Sequence, residues 1–278
     1  MHAGGRRFDP VWLHLITTLG SFPCLISGEG PPLVLLAGLS PKTGVASWPK
    51  MHAGTASPYT GRRRVHYLNR RPDLPRGITF AQLAAEHAEA IRSSFDSPVD
   101  LLGLSTGGSI AQQIAADHPD VVRRLALLST GYRLSDQTRA QMRRIAARIR
   151  AGAPRRAMAL AAAEMVPDGI WQIPAALAGA LLSRPALSDS DLADLATTIE
   201  AEDHFDLRTC AAVIQAPTLV VSGGQDRFYP MPLIEQTAAL IPGSRLMIEP
   251  EHGHITVAGV PAVHAAILDH LDGATPHP

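Results

Sequence analysis

From residue 32 onward the chain alternates between short apolar runs and stretches with helical spacing, and this alternation restricts its fold more than any other feature. The sharpest junction lies in Asp100–Pro119, DLLGLSTGGSIAQQIAADHP, where an apolar run stops at Gly103-Leu104-Ser105-Thr106-Gly107 and a helical pattern begins at once. Comparable runs occupy Pro32–Leu39, Val122–Thr130, Ala216–Gly224 and Ser244–Pro250, with a weaker one inside Arg62–Arg71. Apolar runs of this length, bounded by turn residues, read as buried strands. Between them, Thr79–Phe95 carries apolar residues at 80, 83, 84, 88 and 91 behind a threonine placed to cap a helix. Val260–Leu271 reads as a closing helix, with Pro261 tolerated in its first turn. Strands joined through helices form right-handed β-α-β units, so the expected fold is α/β, a mainly parallel sheet with helices on both faces.

One section breaks the rhythm. Residues 133–208 are rich in Ala, Arg and Leu, show helical spacing and carry no strand pattern. They read as a helical cap inserted into a core made of 31–132 and 209–272, with 1–30 as a separate N-terminal segment. The apolar stretch Met158–Leu182, with Met165 and Trp171, is expected either to line an apolar pocket for a small-molecule acyl substrate or to pack the cap onto the core.

Composition excludes several classes. The 25 basic and 25 acidic residues cancel, which removes the electrostatic case for a nucleic-acid or anionic-membrane partner. No segment reaches the ~20 apolar residues of a membrane span. Arg6 and Arg7 precede a fairly apolar stretch to Leu19, but it is short, interrupted by Asp9 and Pro10, and followed by no clean cleavage site, so no secretory signal is expected. Cys24 and Cys210 stand far apart and suggest neither a disulfide framework nor a thiolate metal cluster. A cytoplasmic location is the expectation. No Gly-x-Gly-x-x-Gly and no phosphate-binding loop occurs, so no nucleotide cofactor is implied.

A strand, then Gly-x-Ser-x-Gly, then a helix has a chemical logic. A serine hydroxyl is a weak nucleophile that needs a neighbouring base and an open approach. A sharp turn between small residues holds the hydroxyl clear of the chain, and the following helix offers free N–H groups and the positive end of its dipole. Ser105 is therefore the candidate nucleophile, and the Thr106 N–H is placed to stabilise a developing oxyanion.

The segments LVLLAGLS, LLGLSTGGSIAQQIAADHPDVVRRLALLST, PTLVVSGGQDRFYP and EHGHITVAGVPAVHAAILDHL occur in an order that resembles the α/β-hydrolase superfamily, from about Pro31 to Leu271. The resemblance implies a triad in the order serine, acid, histidine. It assigns the acid to Asp226, after the strand ending at Gly223-Gly224, and favours His254 over His252 as the base. Read instead as a metal pair, His252-x-His254 lacks the further ligands a zinc site needs. The resemblance also places the second oxyanion donor at the backbone N–H of Leu39, although Ala37-Gly38-Leu39 lacks the histidine common there. The segment SPKTGVASW, with Trp48, is a candidate wall of the site or a packing element.

The implied activity is a cofactor-free serine hydrolase acting on an ester, lactone or thioester through an acyl-enzyme, with no metal. Two alternatives share the same residues: a cofactor-free haloperoxidase or perhydrolase using the same triad, and a non-enzymatic small-molecule receptor of the same fold.

Overall fold

The computed structural model describes residues 15–164 and 172–274. Its strands are β1 (Leu15–Leu19), β2 (Phe22–Ser27), β3 (Pro32–Leu36), β4 (Arg64–Leu68), β5 (Val99–Leu104), β6 (Val122–Leu128), β7 (Thr218–Gly223) and β8 (Arg245–Glu249). They form one eight-stranded sheet in the order β1-β2-β4-β3-β5-β6-β7-β8. From β4 to β8 every neighbouring pair is parallel, whereas β2 runs antiparallel to both β1 and β4.

The helices of the core are α1 (Pro49–Ala56), α2 (Phe80–Ser94) and α3 (Thr106–Asp117). After β6 come α4 (Asp136–Arg150), α5 (Pro154–Glu164), α6 (Gln172–Ala186) and α7 (Asp189–Glu202), and α8 (Met231–Leu240) and α9 (Pro261–Asp272) complete the chain. Continuous apolar runs suit strands buried on both faces, because successive side chains point to opposite sides. Val34, Leu36, Leu101, Leu125, Leu127 and Val220 pack with Leu83, Ile91, Ile110, Ile114 and Ile234 of α2, α3 and α8. Their neighbours Leu33, Leu35, Leu102, Ala126, Leu128, Leu219 and Val221 pack with Ala53, Val263, Ile267 and Leu271 of α1 and α9. The threonine before α2 forms a full capping box: its side chain accepts from the Gln82 N–H while the Gln82 side chain accepts from the Thr79 N–H.

The β1–β2 hairpin lies in the segment before residue 31 that stood apart from the core in the sequence. Its turn places Gly20 at φ 56°, and Leu19 pairs with Phe22. β1 is an edge strand with Leu15 and Ile16 exposed, so it lacks the two-sided burial that marks the central strands.

The insertion leaves and rejoins the core at one point. Arg133 and Asp206 form an isolated antiparallel bridge, and the Leu207 N–H donates to Tyr132 O at 3.0 Å. Between these ends the cap has its own core of Ile145, Ile149, Met158, Leu192, Leu195 and Ile199. Met158 therefore packs within the cap, while Ile173, Leu177 and Leu181 of α6 are exposed. Met165 and Trp171 lie outside the described residues. No helix among the described residues is long and apolar enough to cross a membrane.

Helix α7 seats the cap on the core. The buried Asp194 carboxylate accepts from the Leu74 N–H at 2.8 Å, the Asp73 N–H at 3.1 Å and the Thr43 hydroxyl at 3.3 Å. Asp191 accepts from the Thr43 N–H at 2.9 Å and pairs with Lys42 at 3.0 Å. Asp194→Ala leaves two amide donors without their acceptor, so it should cost about 2–4 kcal/mol. A melting curve should show Tm lower by several degrees; a curve superimposable on the wild type would mean the loops at 43 and 73 are held by other contacts.

Candidate active site

The elbow between β5 and α3 is backbone geometry first. Ser105 has φ 49° and ψ −121°, a conformation that costs a non-glycine residue about 1–3 kcal/mol. The surroundings hold it there: the Ser105 N–H donates to Leu128 O at 3.0 Å, and Ser105 O accepts from the N–H of Gly108 at 2.7 Å and of Ser109 at 3.1 Å. The flanking glycines are required by contact. A Cβ on Gly107 would stand 2.3 Å from Leu36 O, and one on Gly103 would stand 2.5 Å from the Gly108 Cα. The start of α3 can therefore press against the end of β3 only with glycine at 107.

Asp226 sits in the loop after β7 with its side chain fully buried. One carboxylate oxygen accepts from the N–H groups of Phe228 at 2.9 Å and Tyr229 at 3.0 Å. The other accepts from His254 Nδ1 at 2.8 Å. His254 Nε2 in turn lies 3.0 Å from Ser105 Oγ. With Nδ1–H bound to a carboxylate, the tautomer that fits leaves Nε2 as an acceptor facing the serine hydroxyl. The imidazole is fixed between rings as well, 4.7 Å from Phe228 and stacked on Tyr229 at 5.8 Å.

The remaining candidates fall as follows. His252 contributes its backbone: its carbonyl accepts from the Gln225 N–H at 2.9 Å, beside Asp226. Thr106 is the first residue of α3, so its N–H has no intrahelical acceptor. Gly38 lies against Ser105, where a Cβ would stand 3.4 Å from Ser105 Cβ, which brings the chain at Leu39 beside the elbow. The Leu39 side chain packs on the cap cluster. Trp48 is half-buried at the N-cap of α1.

Two residues at the site had not been singled out in the sequence. Ser129, just past β6, has φ 53°, and its hydroxyl donates to the backbone O of His254 at 3.0 Å. It is a second strand-end serine, in Ser129-Thr130-Gly131, and that position is the signal available in the sequence. Glu202, the last residue of α7, is buried beneath α3 and accepts from Thr106 Oγ1 at 2.8 Å and Ser109 Oγ at 3.0 Å. Burial pushes its carboxyl up to about 7, against the pull of the Thr106, Ser109 and Tyr229 hydroxyls and the charge of His254. The helical spacing of the insertion did not distinguish Glu202 from the charged residues of an exposed face.

Residues 70–258 match the family model described as alpha/beta hydrolase fold. A pimeloyl-(acyl-carrier protein) methyl ester esterase of Neisseria meningitidis serogroup A is 29% identical over 196 residues, covering 69% of this chain and 62% of that protein. The matched stretch thus spans less than two thirds of that esterase. A pyrrolizixenacetamide deacetylase of Xenorhabdus hominickii is 25% identical over 240 residues, 83% of this chain and 86% of that one. Among solved structures, the enol-lactonase of Burkholderia xenovorans superposes with a TM-score of 0.71 at 21% identity, covering 93% of this chain and all of that chain. That likeness concerns the fold alone.

Proposed function

Because this chain belongs to the alpha/beta hydrolase fold family, we propose that it is a cofactor-free serine hydrolase that cleaves a carboxylic ester, lactone or thioester through an acyl-enzyme on Ser105. The observation that carries this reading is the continuous hydrogen-bonded path Asp226–His254–Ser105, with links of 2.8 and 3.0 Å. His254 Nε2 takes the Ser105 proton as Oγ attacks the carbonyl carbon, and the resulting imidazolium is stabilised by the buried Asp226 carboxylate. The carbonyl oxygen becomes an oxyanion held by the N–H groups of Thr106 and Leu39. Collapse of the tetrahedral intermediate expels the alcohol or thiol, which takes its proton from His254. Water then enters, gives a proton to the same nitrogen and releases the acid.

The leaving group and acyl chain are small-molecule in this reading, and an apolar acyl chain fits the neighbourhood. Phe228 lies against the imidazole, and Leu39 and Met142 pack at the cap cluster. The Neisseria relative is named a methyl ester esterase and the Xenorhabdus relative a deacetylase, names in keeping with acyl-transfer chemistry. Cys24 and Cys210 are both free thiols, the state a reducing cytoplasm maintains, and we place the protein there.

The test is pre-steady-state. Mixing the protein with p-nitrophenyl acetate should release a burst of p-nitrophenolate approaching one per chain, and the trapped acyl group should map to the peptide carrying Ser105. A protein that binds the ester tightly and releases nothing would be a receptor, and the hydrolase reading would fall.

A further inference from the structure

We propose that Glu202 is a positioning residue of the acyl-transfer centre, through which the cap sets the orientation of Thr106 and Tyr229 around the triad. The proposal rests on the serine-hydrolase reading and extends it to a residue 97 positions beyond Ser105. The sheet and its helices are complete without the cap, yet the last side chain of α7 is driven beneath the first turn of α3. A carboxyl group buried in this way is costly, and an apolar side chain of similar volume would fill the space without that cost. What it obtains there is a specific set of donors. Oε2 accepts from Thr106 Oγ1 at 2.8 Å, Oε1 accepts from Ser109 Oγ at 3.0 Å, and Tyr229 OH stands 3.4 Å from Oε1.

Each of these partners acts on the triad. Thr106 follows the nucleophile and carries the oxyanion N–H, so fixing its side chain fixes the Ser105–Thr106 peptide plane. Tyr229 donates its N–H to Asp226, and its ring stacks on His254. One carboxylate therefore braces a neighbour of every triad member. The ionisable groups facing it are Tyr229 and His254, with Asp226 beyond Tyr229. On the cap side the adjacent Asp203 is occupied by Arg139 and Arg143. The charge works in the same direction as the geometry, since a carboxylate there attracts the imidazolium that forms on His254 during attack. The sign of the pH effect follows. As pH falls through about 7 the carboxyl gains a proton, becomes a donor, and one of the Thr106 and Ser109 hydroxyls loses its acceptor.

The experiment compares wild type, Glu202→Gln and Thr106→Val with a short p-nitrophenyl ester, measuring burst amplitude, kcat, KM and the pH profile. Small misplacement of reacting groups can cost about 100-fold. Glu202→Gln should accordingly keep a burst near one per chain, lose about 10–100-fold in kcat and change KM less than threefold. The wild-type log kcat profile should carry an extra drop of about the same 10–100-fold as pH falls through about 7, and Glu202→Gln should lack that step. Thr106→Val keeps the shape and removes the hydroxyl, so it should reproduce the kcat loss, and the double variant should add little. This arm decides the matter if Glu202→Gln does not fold. If both variants turn over within twofold of wild type with an unchanged acid limb, Glu202 is a packing group and the proposal fails. A wild type with no burst and no label on Ser105 would instead overturn the serine reading, and the proposal would go with it.

Discussion

Ser105→Ala should fold as the wild type does and lose about 10⁵–10⁶ in kcat, the magnitude that follows removal of a triad nucleophile. What remains is the ~10³–10⁴ advantage over water that oxyanion donors and binding supply without the serine. The elbow adds a second readout. Alanine keeps a Cβ, so the backbone strain at φ 49° persists in that variant. Ser105→Gly is as inactive but relieves about 1–3 kcal/mol of strain, against about 0.4–1 kcal/mol of added freedom in the unfolded chain. The glycine variant should therefore melt above the alanine variant. Turnover within tenfold of wild type in Ser105→Ala would remove this residue from the chemistry, whatever the melting temperatures.

The second large effect separates two histidines two residues apart. His254→Ala should cost as much as Ser105→Ala, and the double variant should cost no more than either, because the residues act as a unit. Asp226→Asn should lose about 10⁴ in kcat by presenting the wrong tautomer to the serine. His252→Ala should stay within a few-fold of wild type, since the hydrogen bond that His252 makes to the Asp226 loop uses its carbonyl oxygen. An inactive His252→Ala beside an active His254→Ala would contradict the 3.0 Å contact between His254 and Ser105.

The central sheet was readable because β3, β5, β6 and β7 are buried on both faces, which writes a continuous apolar run into the sequence and bounds it with turn residues. The expected run Val122–Thr130 ends as a strand at Leu128, because Ser129 turns to φ 53° to reach the His254 carbonyl. Strand β1 was not readable for the opposite reason: an edge strand with one face in solvent leaves only a weak pattern. Ser105, Asp226 and His254 share a position at or just beyond a strand end; the Gly-x-Ser-x-Gly turn pointed to Ser105, the resemblance to the hydrolase family pointed to Asp226 and His254, and in the structure the three lie on one hydrogen-bonded path. Ser129 and Glu202 bind through contacts across 125 and 93 or more residues of chain, and no local pattern encodes a partner at that separation. The apolar stretch Met158–Leu182 shows the limit of periodicity in another way. Helical spacing marks its helices, but the side that faces the cap core at Met158 and the side left exposed at Leu177 follow from which helix packs on which.

The meeting of the insertion's two ends, at Arg133 and Asp206 and again at Tyr132 and Leu207, makes the cap an exchangeable cassette. Its endpoints are already joined by the core, so lengthening or shortening the segment between them changes the closure entropy only as the logarithm of its length, about 0.6 kcal/mol per doubling. Duplication, trimming or replacement of the helices in between is thus nearly free to the sheet. The constraint falls on the points where the helices dock onto the core, Thr138 of α4 and Asp191, Asp194 and Glu202 spaced along α7, and a lineage that kept those contacts while redesigning the rest would inherit the same elbow unchanged.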